Sequence, residues 1–498
     1  MHPRILPAIV VAGSLALAAC GGDDAVRTVG AESHDPQSTV APRDDVDLDW
    51  EECGEDLECA TLAVPLDYAE PDAGTIELPL VRHLAGNSAE RIGSLLVNPG
   101  GPGFGGTILA EYAANIYSQA ILDHFDVVGW DPRGTGESEP AIDCIDDYDD
   151  YFAVGDITPD TDAEHDELVE QSKRFAEACE ERNGELLAHV GTNNSARDMD
   201  MIRQALGEDE ISYFGFSYGS ELGGTWATMF PDTVRAAVLD GAADPNADST
   251  EGLAQQLAGF EGTLATFLAE CSADRSCEFY NDGDAEGAYD DLMSELDEHP
   301  IPTEAGRPDL TRGMANVAVA QAMYDESLWT QLAGGLAEAQ AGDGATLLGL
   351  FDAYYQRTFS GDYGNEIEAF MSILCVDSDE RPTVEEADAE VPRLQEAAPR
   401  FSPGTTGDYT CTFWQAPADP RIEITGVGAG PIVVIGTTGD PATPLDSTRR
   451  MAEALEDGRL VIVTADQHTG YNVNDCVNDV VDDYLIDLEA PEHETQCR

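Results

Sequence analysis

Lysine is almost missing from this chain: Lys173 is the one lysine in 498 residues. All 24 basic residues face 98 aspartates and glutamates, leaving a formal net charge of −74. A field of that sign repels polyanions, so nucleic acid is excluded as a partner. The acidic surface keeps the chain in solution, and its near-total lack of lysine predicts adaptation to high salt, where counter-ions screen self-repulsion. No Cys-x-x-Cys spacing occurs. No bound metal is therefore expected, nor any other cofactor. Long apolar runs are scarce too, and the N-terminal one, residues 5–19, is short for a membrane-spanning helix.

That run has another use. Met1 to Arg4 is weakly positive, residues 5–19 read ILPAIVVAGSLALAA, and Leu17-Ala18-Ala19-Cys20 closes the stretch. This is the form of a secretory signal peptide over residues 1–19. Its ending resembles a bacterial lipobox, which implies that Cys20 is lipidated and becomes the new N-terminus. The mature protein is then expected outside the cytoplasm, held to the outer face of the bacterial cell membrane by its lipid. Residues 20–48 are polar and acidic and read as a flexible tether. Setting Cys20 aside leaves ten cysteines, an even number that suits an oxidising compartment. Many connectivities are open to ten cysteines, but sequence neighbours suggest Cys53–Cys59, Cys144–Cys179, Cys271–Cys277, Cys375–Cys411 and Cys476–Cys497.

From residue 49 to about 244, short apolar runs alternate with helical periods. Ser94 to Asn98, Phe125 to Trp130, Ile211 to Phe216 and Val234 to Asp240 read as strands, and Asn194 to Leu206 and Ser220 to Phe230 as helices. Such alternation predicts an α/β fold with a mostly parallel central sheet. Residues 245–425 change character. Long amphipathic stretches, Leu253 to Glu270 and Val317 to Glu338 among them, predict a large helical cap insertion. The strand pattern resumes at Pro431 to Ile435 and Leu460 to Val463, with a helix near Val477 to Leu488, so residues 426–498 complete the interrupted sheet domain.

The chemistry sits at one pentapeptide, Gly215-Phe216-Ser217-Tyr218-Gly219, which matches G-x-S-x-G between a strand and a helix. That setting is what the nucleophile elbow of the α/β-hydrolase fold requires, and it makes Ser217 the candidate nucleophile. A serine needs a base, and the base an orienting acid, in the chain order Ser, acid, His. Two histidines follow the cap. His493 lies in an acidic tail, whereas His468 follows a strand by a few residues, at the sheet edge where such folds place their chemistry. Asp440 follows the preceding strand, and its rival Asp466 lies too near His468 in sequence to orient it. The triad read from the sequence is Ser217, Asp440 and His468. For the oxyanion, the candidate donors are the backbone amides of Gly101 and Tyr218. Gly101 belongs to the glycine-rich run Asn98-Pro99-Gly100-Gly101-Pro102-Gly103, which no Gly-Lys-Ser/Thr follows, against a phosphate loop. Glu221, four residues past the serine, is a candidate contact for a substrate amine, with a structural role equally open.

Taken together, residues 98–103, Asp131-Pro-Arg-Gly-Thr-Gly136, the elbow, Phe230-Pro231 and Gly439-Asp-Pro-Ala-Thr-Pro444 resemble the bacterial tripeptidyl aminopeptidases, relatives of proline iminopeptidase. The resemblance runs from about Trp50 to Cys497 and includes Cys411-Thr-Phe-Trp414 and the late cysteines. One departure is Gln467, which stands where that family usually has a glycine before its histidine. The resemblance implies the same triad and hydrolysis of peptide bonds near a free N-terminus, with release of tripeptides. A carboxylesterase or lipid esterase would use the same three residues, so the sequence leaves that alternative open, and beside it a catalytically silent binding lipoprotein.

Overall fold

Runs of consecutive apolar side chains build the centre of the molecule. In the computed structural model, which describes residues 48–153, 155–402 and 409–498, Phe125–Trp130 and Ile432–Thr437 are buried along their whole length. Strands buried on both faces are the mark of a parallel sheet covered by helices on each side. The signal peptide, Cys20 and the tether up to residue 47 lie outside the described residues.

The strands are β1 (Glu51–Gly54), β2 (Leu57–Pro65), β3 (Thr75–His83), β4 (Gly93–Asn98), β5 (Phe125–Trp130), β6 (Ile211–Phe216), β7 (Val234–Asp240), β8 (Ile432–Thr437), β9 (Gly458–Val463) and β10 (Glu494–Cys497). They form one sheet in the order β1-β2-β3-β5-β4-β6-β7-β8-β9-β10. The first three join antiparallel, and every pair from β5 to β10 is parallel. β2 alternates buried and exposed residues, as an antiparallel strand with one wet face should.

Alternation sorts the central side chains into two cores. Leu95, Val97, Phe214, Val238, Val433 and Val461 pack on one face beneath Ile121, Val477, Val481 and Tyr484. Leu96, Tyr213, Leu239 and Val434 point the other way, into a core continuous with the helical insertion. β4 is flanked by β5 on one side and β6 on the other, so the chain leaves it in opposite directions. Beside such a switch point, the carboxyl ends of the strands enclose a crevice.

Between β7 and β8 the chain is helical, from Ser249–Ala273 through Glu366–Val376 to Val384–Ala397. The stretch Val317 to Glu338, read from periodicity as continuous, is two helices, Arg312–Met323 and Trp329–Gln340. The break falls where the Asp325 carboxylate accepts the N–H of Ser327 at 2.8 Å, a local bond that competes with the helix. The helix Asp162–Asn183 escapes a reading by hydrophobic period because half of its residues are charged, yet Thr161 and Glu164 form a capping box at its start. Disulfides join Cys53–Cys59, Cys144–Cys179, Cys271–Cys277, Cys375–Cys411 and Cys476–Cys497. The last ties the final helix to β10, so the acidic tail belongs to the sheet. Exposed His493 sits where β10 enters, opposite the start of β9, at the end of the sheet remote from the crevice. No described helix is long and apolar enough to cross a membrane.

Candidate active site

Ser217 stands between the last residue of β6 and the first of the helix Tyr218–Met229. Its φ and ψ are 54° and −125°, an unusual conformation for a residue with a β-carbon. Such backbone costs about 1–3 kcal/mol and persists only where neighbours hold it. Here the Ser217 N–H donates to the Asp240 carbonyl at 2.7 Å, and the Ser217 carbonyl accepts from the Ser220 N–H at 2.7 Å. The turn is tight enough that a β-carbon on Gly215 would fall 2.3 Å from the Gly219 carbonyl oxygen. The serine therefore stands at a helix N-terminus, where backbone dipoles favour developing negative charge.

The loop after β4 lies directly on this turn. A β-carbon on Gly100 would fall 2.5 Å from the Phe216 oxygen and 3.0 Å from the Tyr218 nitrogen, and Gly100 has φ of 99°. The Asn98 side chain fixes the loop by accepting the Gly100 N–H at 2.9 Å. Gly101 and Tyr218 line the same pocket as Ser217.

His468 and Asp440 meet in the buried interior. His468 Nδ1 lies 2.8 Å from Asp440 Oδ1 and 3.0 Å from Oδ2, and 3.3 Å from Thr443 Oγ1. Asp440 also accepts the N–H groups of Ala442 at 3.0 Å, Thr443 at 2.8 Å and Thr469 at 3.2 Å. A carboxylate so supplied with donors is held in place. The imidazole Nε2 is buried with no hydrogen-bond partner, so the serine–histidine bond is not made in this conformation. Catalytic bonds of that type often close only with substrate bound. Asp466 is partly exposed, its Oδ1 turned toward Gly439.

The insertion roofs this edge. Phe370, Leu374, Leu253 and Glu380 line the pocket above Ser217. Five carboxylates surround it, those of Glu221, Asp244, Asp248, Asp377 and Glu380, against one guanidinium, Arg421. Four of the five have protein partners. Glu221 pairs with Arg421, so this acid is neutralised by a neighbour. Asp244 pairs with Arg450 at 2.7 Å, Asp248 caps the helix Ser249–Ala273, and Asp377 accepts the Thr192 N–H at 2.7 Å. Burial pushes the Asp377 carboxyl up to about 7. Glu380 Oε2 is buried without a hydrogen-bond partner. A carboxylate oxygen left so is a costly group awaiting a donor.

Sequence reasoning missed Asp377, Glu380 and Arg421, which reach the pocket only through folding of the insertion. Asp131 and Arg133 prove to be framework. Asp131 accepts the Thr107 hydroxyl at 2.8 Å, and fully buried Arg133 grips Asp198 with two bonds of 2.7 Å. No described group of His, Cys, Asp or Glu has the arrangement of a metal site.

Comparison with known proteins adds the lineage. Residues 93–474 match the family model described as the alpha/beta hydrolase fold. Serine protease Hip1 of Mycobacterium tuberculosis is 37% identical over 457 residues, covering 88% of this chain and 87% of that protein. Carboxylesterase B of the same organism is 36% identical, covering 97% and 96%. Tripeptidyl aminopeptidase of Streptomyces coelicolor is 30% identical, covering 90% and 86%.

Proposed function

The chain belongs to the α/β-hydrolase fold family and is a serine peptidase of it; from that premise we propose that it cleaves peptides from a free N-terminus, releasing short fragments of about three residues, with Ser217, His468 and Asp440 as its triad. The observation that carries the reading is the roofed pocket over Ser217, lined by carboxylates and closed by the insertion. A roof admits a chain end more readily than the middle of a folded protein. A carboxylate-rich wall attracts an ammonium and repels a C-terminal carboxylate. Glu380, with one oxygen buried and unpartnered, is the best-placed anchor for that ammonium.

The chemistry follows from the geometry. Ser217 Oγ attacks the scissile carbonyl as His468 Nε2 takes its proton. The Asp440 carboxylate, 2.8 Å from Nδ1, stabilises the resulting imidazolium. The N–H groups of Gly101 and Tyr218 receive the oxyanion. Collapse breaks the C–N bond, and the imidazolium returns its proton to the departing amine. Water, deprotonated by the same histidine, then attacks the acyl-serine; the ester C–O bond breaks, the imidazolium returns its proton to Ser217 Oγ, and the N-terminal fragment is freed. No cofactor is needed.

The five disulfides fit an oxidising, extracytoplasmic compartment. Export by the signal peptide 1–19 and anchoring through lipidated Cys20 complete the proposal, and mass spectrometry of the mature N-terminus in the membrane fraction tests them. The esterase reading draws on the similarity to carboxylesterase B. A panel of tripeptide anilides beside short-chain esters separates the two. With either substrate, Ser217→Ala is expected to lower kcat about 10,000-fold while the fold stays intact, because nucleophile and base act as a unit. Activity within tenfold of the parent would place the nucleophile elsewhere.

A further inference from the structure

Asp240, the last residue of β7, is a carboxylate with no exposed surface, and it follows the buried apolar run Ala236–Leu239. Its bonds reach both halves of the site. Its main-chain oxygen accepts the N–H of Ser217 at 2.7 Å and the hydroxyl of Ser220 at 3.2 Å. Its side chain accepts the N–H of Gly470 at Oδ1, 2.7 Å, and that of Tyr471 at Oδ2, 2.8 Å. These are the second and third residues after His468. The next residue closes the bridge: Gly241 has φ of 73°, its N–H donates to the Ile435 carbonyl within β8, and a β-carbon there would lie 3.1 Å from His468 Cε1.

We propose that Asp240 is a positioning residue, one side chain that fixes the histidine loop to the same strand end that holds the nucleophile turn. This rests on the triad reading above. Two parallel N–H bonds to one carboxylate orient a loop as well as anchor it. Without them the loop 464–474 keeps the Asp440 bonds but loses its tie to the serine. Misplacement of about 1 Å costs catalysis about a hundredfold. The charged and titratable groups facing Asp240 are His468 and Asp440. Its role toward the imidazole is to fix the loop that carries it.

Asp240→Asn tests this. The amide retains the shape, but its NH2 faces one of the two N–H donors. The expected result is kcat lowered about ten- to a hundredfold with KM within about threefold. A purely structural role would lower the melting temperature and the active fraction, leaving kcat per labelled site in place. Asp240→Ser, whose hydroxyl accepts one of the two bonds, serves the same purpose should the first variant not fold. Fluorophosphonate labelling, followed by peptide mapping, separates the layers of the account. Slower labelling at Ser217 in the variant supports the proposal. Equal labelling rates at Ser217, with kcat within twofold of the parent, overturn it. Labelling of the parent at a residue other than Ser217 overturns the triad reading itself.

Discussion

The carbonyl oxygen of Tyr324, a residue of the helical insertion, accepts the N–H of His468 at 2.9 Å. The Tyr324 ring also packs edge-on to the imidazole, with centroids 5.5 Å apart. The insertion thus holds the histidine as well as covering the pocket. Tyr324→Ala keeps the backbone bond but removes the ring, so the imidazole gains freedom beside a new cavity. The expected outcome is kcat lowered about tenfold, with a stability loss of about 3 kcal/mol for the buried ring. Steady-state kinetics beside thermal unfolding checks both, and an unchanged kcat would show that the ring does not hold the base.

Stability should fall as pH rises through the neutral range. Burial pushes Asp240, Glu368 and Asp377 each up to about 7. An acid whose folded pKa lies above its unfolded value of about 4 binds more protons in the native state between those limits, so its stabilisation is present below about pH 4 and lost by about pH 7. Carboxyls shifted the other way, such as Asp146 and Asp274, lie at the surface and weigh less. The melting temperature at fixed ionic strength is expected to be several degrees higher near pH 5 than near pH 8. A higher value at pH 8 contradicts this.

Salt should act in the opposite sense. With −74 formal charges and one lysine, the native chain repels itself. Screening shortens the reach of that repulsion from about 10 Å at 0.1 M to about 3 Å at 1 M, which favours the compact state. The melting temperature is expected to rise steadily from about 0.1 M to about 2 M sodium chloride. A flat or falling curve removes the high-salt reading.

What the sequence disclosed follows from the range of the interactions involved. β5, β6, β7 and the elbow are legible because their signals are local: apolar runs of strand length and glycines where the turn is sharp. Asp440 and His468 are legible through their order after Ser217 and their places just past β8 and β9. Asp240 could have been noticed as an acid ending a buried strand, but its partners at 470 and 471 lie 230 residues on. Glu380 is one acid among 98, and only the fold leaves its oxygen buried and unpaired beside Ser217. The insertion was legible as helical, but not its break at Asp325, where one side-chain bond outweighs hydrophobic period.

The central claim is that the pocket recognises a free α-amino group while Ser217 is acylated. The direct measurement compares kcat/KM for a tripeptide joined to a chromogenic amine with that for its N-acetylated twin, in the parent and in Glu380→Gln. The account predicts a loss of about a hundredfold or more on acetylation, as expected when a buried carboxylate loses its charged partner. It also predicts that Glu380→Gln loses activity on the free peptide while barely affecting the blocked one. Equal kcat/KM for the free and acetylated peptides would contradict N-terminal recognition and favour an esterase or an endopeptidase.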